Sequence, residues 1–317
     1  MADQSSPAYS IVVPAFNEAE SLMPFLAELT AVMTKLHQPW ELIVVNDGST
    51  DATAATLVHL QAQYRQLSVV TFGRNRGKAA GLSAGFAAAR GQILVTLDAD
   101  LQDDPAELPK LVAKLEQGFD LVTGRKANRQ DPLDKTVPSR VINGLARWLT
   151  GVAVRDSNSG FKAYRREVVE HIPIYGELYR FIPILAASEG FAVTEVPVHH
   201  RPRRFGRSKY GASRFIRGAF DLLTVTVLIR FLRRPLHLFG TLGMILVLAG
   251  LAISADLTYL HFVAHQSVGD RPLLAFGILF LISGLQLVCT GLLAELLVYL
   301  HQRGALRSTV QPIVRNR

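Results

Sequence analysis

A single cysteine, Cys289, stands in the 317 residues of this chain. An intrachain disulfide and a cysteine-based zinc cluster are both excluded. Glycine-rich phosphate loops are missing too. The first strand-to-helix turn reads VPAFNE, without the G-x-G-x-x-G of a dinucleotide site. GRNRGKA (73–79) has one residue too few between its glycines for a P-loop, and Ala79 stands where Ser or Thr would reach magnesium. Kinase-like and GTPase-like chemistry is set aside on that ground. The start, MADQSSPAYS, is polar, and Ile11–Val13 is too short for the apolar core of a signal peptide. The N-terminal domain is therefore expected to stay in the cytoplasm. Charge is scarce late in the chain: between 236 and 300 the formal charges are Asp256, Asp270, Arg271 and Glu295.

What is present is unevenly placed. Hydrophobic residues make up 49%, an excess carried by the C-terminal third, while residues 1–210 read as an ordinary soluble domain. The net charge of +8 suits an anionic partner or an anionic membrane surface. Short apolar runs YSIVV (9–13), ELIVV (41–45), LSVVTF (67–72) and QILVTL (92–97) predict strands. Helical patterns at 20–36, 51–65 and 77–89 separate them. That alternation predicts a mostly parallel, three-layer α/β sheet. A helix over 105–117, a strand DLVTG (120–124), a basic helix near 138–150 and a strand AVTEVPV (192–198) continue the pattern.

Residues 212–234 predict an amphipathic helix carrying Arg214, Arg217, Arg230, Arg233 and Arg234, suited to a bilayer surface. Two apolar segments follow, 236–253 and 272–300, each long enough for a membrane span. Spans of about 236–256 and 272–297 would make a hairpin. Arginines 230, 233 and 234 precede it and Arg303, Arg307, Arg315 and Arg317 follow it, whereas the loop has only Arg271. The positive-inside rule then places both flanks in the cytoplasm and the loop outside. Small-residue faces Gly240–Gly243 and Gly284–Gly291 suggest self-association into a homo-oligomer. The organisation expected is a domain over 1–211, an interface segment over 212–234, a transmembrane hairpin over 235–300 and a basic cytoplasmic tail over 301–317.

Ligands of such a sheet lie beyond the carboxyl ends of its strands. PAFNE, NDGSTD, GRNRGK and DADLQDD all fall there. Asp47, in the tight turn DGS, is placed to accept hydrogen bonds from a base or ribose. The alternative is that it shares the capping of the following helix with Ser49 and Asp51. Asp98 and Asp100 are one residue apart at the end of the fourth strand. Unpaired, they would repel; aimed at one hard cation, Mg²⁺ or Mn²⁺, they would not. A cation there would also contact a diphosphate and stabilise its charge as it leaves. Gln102 supplies a neutral oxygen ligand.

VPAFNEAESL (13–22), VVNDGSTDAT (44–53), NRGKAAGLSAGFAAARG (75–91) and TLDADLQDDP (96–105) together resemble the inverting family-2 glycosyltransferases. More narrowly, GRKANRQD (124–131), DSNSGFKAYRRE (156–167), RFIPILAASEGF (180–191) and VPVHHRPRRFGRSKYG (196–211) look like the polyprenyl-phosphate branch. That branch contains the dolichol-phosphate mannose synthases and the undecaprenyl-phosphate sugar transferases. The terminal RPLLAFGILFLISGLQLVCTGLLAELL (271–297) is similar to the second span of its two-span members. The resemblance covers roughly residues 8–300. It implies a GT-A-type, Rossmann-like domain in which Pro14, Phe16 and Glu18 line a nucleotide pocket with Asp47. Asp98, Asp100 and Gln102 would hold the metal. Arg125 and Arg140 would face a lipid phosphate with Ser159 nearby, and Arg203 and Lys209 would close over the diphosphate. The family often has arginine after SGF; here it is Lys162, which weakens a bidentate role at that position.

The activity implied is inverting transfer of a hexose, glucose or a related sugar, from a UDP- or GDP-sugar to a membrane polyprenyl phosphate. The partners expected are the nucleotide sugar, the lipid phosphate and the bilayer, with no nucleic acid. A processive polysaccharide synthase is the alternative enzyme. Such enzymes usually carry a Q-x-x-R-W-type motif and more spans; GLARWLTG (144–151) lacks the glutamine. A non-catalytic membrane scaffold that binds nucleotide sugars is the alternative outside catalysis.

Overall fold

The computed structural model describes residues 6–126, 159–172, 174, 176, 178–201, 235–269 and 271–309, with side chains as far as Leu300. The chain divides into two compact units, Met1–Val225 and Thr226–Arg317.

In the first unit the sequence alternation becomes β1 (Tyr9–Ala15), α1 (Ala19–Lys35), β2 (Trp40–Asn46), α2 (Thr53–Gln63), β3 (Leu67–Thr71), α3 (Lys78–Ala88) and β4 (Ile93–Thr96). A 3₁₀ turn, Pro105–Glu107, leads into α4 (Leu108–Glu116), and β5 (Leu121–Lys126) follows. Beyond residue 158 come β6 (Lys162–Arg165), α5 (Arg166–His171), a 3₁₀ turn Leu178–Phe181, α6 (Ile182–Ser188) and β7 (Val193–Val198). The expected strands and helices in the described residues are present within a few residues of their expected ends. The basic helix near 138–150, the segment 212–234 and the tail from 310 lie outside the described residues.

The described strands form one seven-stranded sheet in the order β3-β2-β1-β4-β6-β5-β7. β1, β2, β3 and β4 run parallel, as do β5 and β7. β6 runs against both its neighbours, β4 and β5. This strand was not anticipated: KAYR is four residues long, and its sequence carries no run that distinguishes it from a loop. Successive side chains of β1 leave opposite faces. Ile11 and Val13 pack with Leu22, Phe25 and Leu29 of α1 and Leu111 of α4. Val12 packs with Leu82 and Phe86 of α3. Burial on both faces is why the strands read as unbroken apolar runs rather than alternating ones. The strand order reverses between β1 and β4, which opens a crevice at their carboxyl ends.

The second unit is a pair of long helices, α7 (Pro235–Phe262) and α8 (Pro272–Thr309). Pro235–Phe262 and Pro272–Leu300 are each long and apolar enough to cross a membrane. At 1.5 Å per residue each spans about 42 Å, against about 30 Å of bilayer hydrocarbon. Their large apolar side chains mostly point outward: Leu242, Ile245, Leu248, Phe276, Leu285 and Leu293 are exposed. A soluble protein would bury them, so the hairpin suits anchoring in lipid.

Gly243, Gly250, Gly277, Gly284 and Gly291 sit on the inner seam. A Cβ at Gly243 would stand 2.6 Å from the carbonyl oxygen of Gly284, and one at Gly284 would meet the carbonyl of Gly243 at the same distance. Gly250 meets the carbonyl of Gly277, and Gly291 packs on Leu236 and Phe239. The seven-residue spacing of 243–250 and 277–284–291 keeps the seam on one face of each helix. Gly243, Gly284 and Gly291, expected on faces that pair two copies, here meet the opposite helix of the same hairpin. Glu295 closes the seam by accepting a 3.2 Å hydrogen bond from the N–H of Leu236, at the start of α7.

Candidate active site

Two loops at the carboxyl ends of β1 and β2 are tied together first. Asn17, at φ +55, donates its backbone N–H to Ser49 Oγ at 3.0 Å and accepts from the Thr50 N–H at 2.8 Å. The Glu18 N–H donates to Thr53 Oγ1 at 2.9 Å. Pro14, Phe16 and Glu18 are each half-buried along this rim. Asp51 caps the start of α2, accepting from the Thr53 N–H at 2.9 Å.

Asp47 does something else. Its two oxygens accept from the backbone N–H groups of Arg76 at 2.7 Å and Gly77 at 2.9 Å, just ahead of α3. The alternative for Asp47, shared capping of α2, is not what its hydrogen bonds show; it braces the third loop. Gly48 makes this possible. It adopts φ +66, and a Cβ there would stand 2.3 Å from the Arg74 carbonyl carbon. The carboxylate also faces the positive end of α3.

Asp98 follows β4 at the reversal of strand order. Its Oδ1 is ion-paired with Nζ of Lys78, the first residue of α3. Burial alone would raise the Asp98 carboxyl; Lys78, with Lys126 and Lys162 beyond it, outweighs this and holds it below the usual carboxylate range. The Gly160 turn lies against the same group, where a Cβ would stand 2.6 Å from Oδ2. Thr96 Oγ1 fixes that turn by donating to the Gly160 carbonyl at 2.8 Å. Ser159 is buried, and its Oγ accepts from the Phe161 N–H at 3.3 Å. Lys162 is buried also, and donates to the Ser159 carbonyl.

Asp100 is buried, and its Oδ1 accepts from the Gln102 N–H at 3.2 Å across Leu101, which adopts φ +59. Asp98, Asp100 and the Gln102 amide thus place hard oxygen donors on one short turn, a set whose chemistry fits Mg²⁺ or Mn²⁺. Among the described residues no group of three His, Cys, Asp or Glu side chains stands ready to hold a metal. Gln102 would supply a third protein oxygen.

The next two carboxylates serve the architecture. Asp103 meets Nδ1 of His200 at 3.1 Å. Asp104 caps the turn at Ala106 and pairs with Arg201 at 2.8 Å, while Arg201 reaches Glu28 at 2.6 Å. Arg125, near the end of β5, is half-buried. Arg140, Arg203 and Lys209 lie outside the described residues. The cations at Lys78, Lys126 and Lys162 were not among the expected site residues. In the sequence Lys78 stands out only within a motif that fails as a P-loop, and Lys162 only as a departure from arginine.

Residues 10–173, just over half the chain, match the family described as Glycosyl transferase family 2. The chain belongs to that family. Over nearly its full length it is also similar to enzymes named for polyprenyl phosphates. It is 38% identical over 299 residues to the dodecaprenyl-phosphate galacturonate synthase of Rhizobium johnstonii, covering 93% of this chain and 88% of the relative. It is 36% identical over 309 residues to the undecaprenyl-phosphate 4-deoxy-4-formamido-L-arabinose transferase of Salmonella gallinarum, covering 96% and 93%. The first unit's fold is shared with glucosyl-3-phosphoglycerate synthase of Mycobacterium tuberculosis, solved with Mn²⁺, UDP and phosphoglyceric acid. That match has a TM-score of 0.57 at 24% identity, over 69% of this chain and 78% of the other. The same enzyme with Mg²⁺ and UDP matches at a TM-score of 0.55 and 22% identity, over 69% and 79%. The GT-A-like architecture is thereby shown.

Proposed function

We propose that this family-2 enzyme transfers one sugar from a UDP- or GDP-sugar to a membrane polyprenyl phosphate, with inversion at the anomeric carbon. The observation that carries the reading is the full-length likeness to two polyprenyl-phosphate transferases, apolar hairpin included. The expectation of a hexose is broadened. One relative is named for galacturonate and the other for a formamido-arabinose, so a hexose, a hexuronate and a modified pentose are all candidate sugars. A processive synthase lacks support from either full-length relative.

Pro14, Phe16 and Glu18, together with Asp47, are assigned to the nucleotide. Asp98, Asp100 and Gln102 are the residues suited to Mg²⁺ or Mn²⁺, which when bound would neutralise charge on the departing diphosphate. Arg125 and Arg140, with Ser159 supporting the Gly160 turn, are assigned to the lipid phosphate, and Arg203 and Lys209 to the diphosphate. The acceptor is a phosphate monoester with a second pKa near 6, so at neutral pH its oxygen is already largely deprotonated. It attacks C1 on the face opposite the leaving group. No strong general base is needed, and the cations around Asp98 do most of the electrostatic work.

The hairpin would hold this site at the membrane surface, with the first unit and both ends of the chain cytoplasmic. The test is a panel of nucleotide sugars offered with undecaprenyl phosphate. The expected product extracts into organic solvent and releases its sugar in mild acid. Transfer from no donor to any polyprenyl phosphate would defeat the reading; water-soluble polysaccharide would favour the synthase.

A further inference from the structure

Lys126 ends β5 at the ligand edge of the sheet, where a neutral partner holds its ammonium. Its Nζ lies 3.2 Å from Nε2 of His200. The other ring nitrogen, Nδ1, lies 3.1 Å from Oδ1 of Asp103. Asp103 is 2% exposed and the His200 side chain 9%. A lysine ammonium can only donate, so Nε2 must present its lone pair and Nδ1 must carry the proton toward Asp103. The carboxylate therefore fixes the tautomer of the ring, and the ring fixes the lysine. Asp103 and His200 also face each other across an antiparallel backbone bridge, so the pair is built into the main chain.

Two lysines near Asp98 differ in consequence. Lys78 places its charge directly on Asp98. Lys126 gives one N–H to an uncharged acceptor and keeps two, with no carboxylate within ion-pair distance among the described residues. It still lies near enough to favour the ionised form of Asp98. A cation so held keeps its field for an incoming anion, and both proposed substrates are phosphate esters.

We infer that Lys126, positioned by the Asp103–His200 pair, binds a phosphoryl oxygen of the sugar donor or of the lipid acceptor during transfer. This rests on the proposed function. The test measures KM for each substrate separately, using the full chain in membranes, for K126A, H200A, H200Q and the double variant K126A/H200A. K126A should raise one KM about tenfold, the scale of a lost charge-assisted hydrogen bond. A raised acceptor KM assigns the lipid phosphate, and a raised donor KM the diphosphate. H200A should affect the same substrate, and the double variant should be no worse than K126A alone, since both remove one interaction. H200Q should recover much of the loss, because its amide can donate to Asp103 and accept from Lys126. Unchanged KM values in K126A, or additive losses in the double variant, would overturn the inference while leaving the transferase reading intact. K126A sits on the rim and tests the inference even if H200A folds poorly. A wild-type chain that transfers nothing would overturn both.

Discussion

The Lys78 ammonium stands against Oδ1 of Asp98, so the first carboxylate of the strand-end pair is already neutralised by the start of α3. Burial pushes that carboxyl up and the lysines push it down further. Removing Lys78 shifts the balance toward the neutral acid. The variant K78M should therefore move the acid limb of kcat/KM to higher pH, because Asp98 would protonate earlier as pH falls. A limb that stays in place would show that Asp98 does not titrate in the working range or that Lys78 is not its main partner.

The pair itself should be indispensable. D98A and D100A should each lower transfer by at least about a hundredfold, the scale of a lost electrostatic contact in a transition state. The folded domain should survive, since both groups lie beyond the strand ends. Q102A should be milder. Retained activity in either aspartate variant with EDTA present would refute a metal-assisted site.

Gly160 offers a steric test of the same place. In G160A the new methyl would press on Asp98 Oδ2 at 2.6 Å. Transfer should fall more than about tenfold, the scale of a small misplacement at the reacting centre, with little change in thermal stability. Normal turnover in G160A would mean that the Asp98 orientation is not set by this turn.

Away from the site, Glu41 is 5% exposed and accepts from Ser10 at 2.6 Å and from the Arg90 N–H at 2.7 Å. Burial would raise its carboxyl, but Ser10 and Arg90 together hold it below the ordinary value of 4.5. Its folded-state pKa is depressed, so its stabilising effect is complete above that value and fades as pH falls through the folded-state value. The wild type should lose part of its stability below about pH 4.5. E41Q should be less stable at neutral pH and show a flatter acid response in thermal melts. Parallel curves for the two proteins would refute this.

The hairpin seam predicts a different failure. In G243A or G284A the methyl would meet a facing carbonyl at 2.6 Å, forcing the helices apart at a cost of about 1–3 kcal/mol. The variants should stay in alkali-washed membranes yet be more easily cleaved by protease in detergent. Wild-type resistance would place the seam elsewhere.

Much of this was legible beforehand because it lies in contiguous residues. Ile11–Val13 and Leu42–Val45 announce buried parallel strands, and DADLQ announces hard-oxygen chemistry at a strand end. What the chain conceals is pairing at a distance. Asp98 and Asp100 look no different in sequence from Asp103 and Asp104; only His200 and Arg201, about a hundred residues later, bind the second pair into the scaffold. Gly243 and Gly284 likewise carry the same spacing whether they meet a second copy or each other. The strand β6 was missed because four residues between two distant partners leave no periodicity to read.

That reversed strand has a consequence for how such enzymes diversify. β5 ends at Lys126 on the ligand edge, and β6, running backwards, begins at Lys162 on the same edge. The chain therefore leaves the described sheet at Lys126 and rejoins it at Lys162 on one and the same edge. An insertion or replacement between those two points need not disturb the register of β5 with β6. Evolution can edit the sequence that joins the two lysines with the strands on either side untouched.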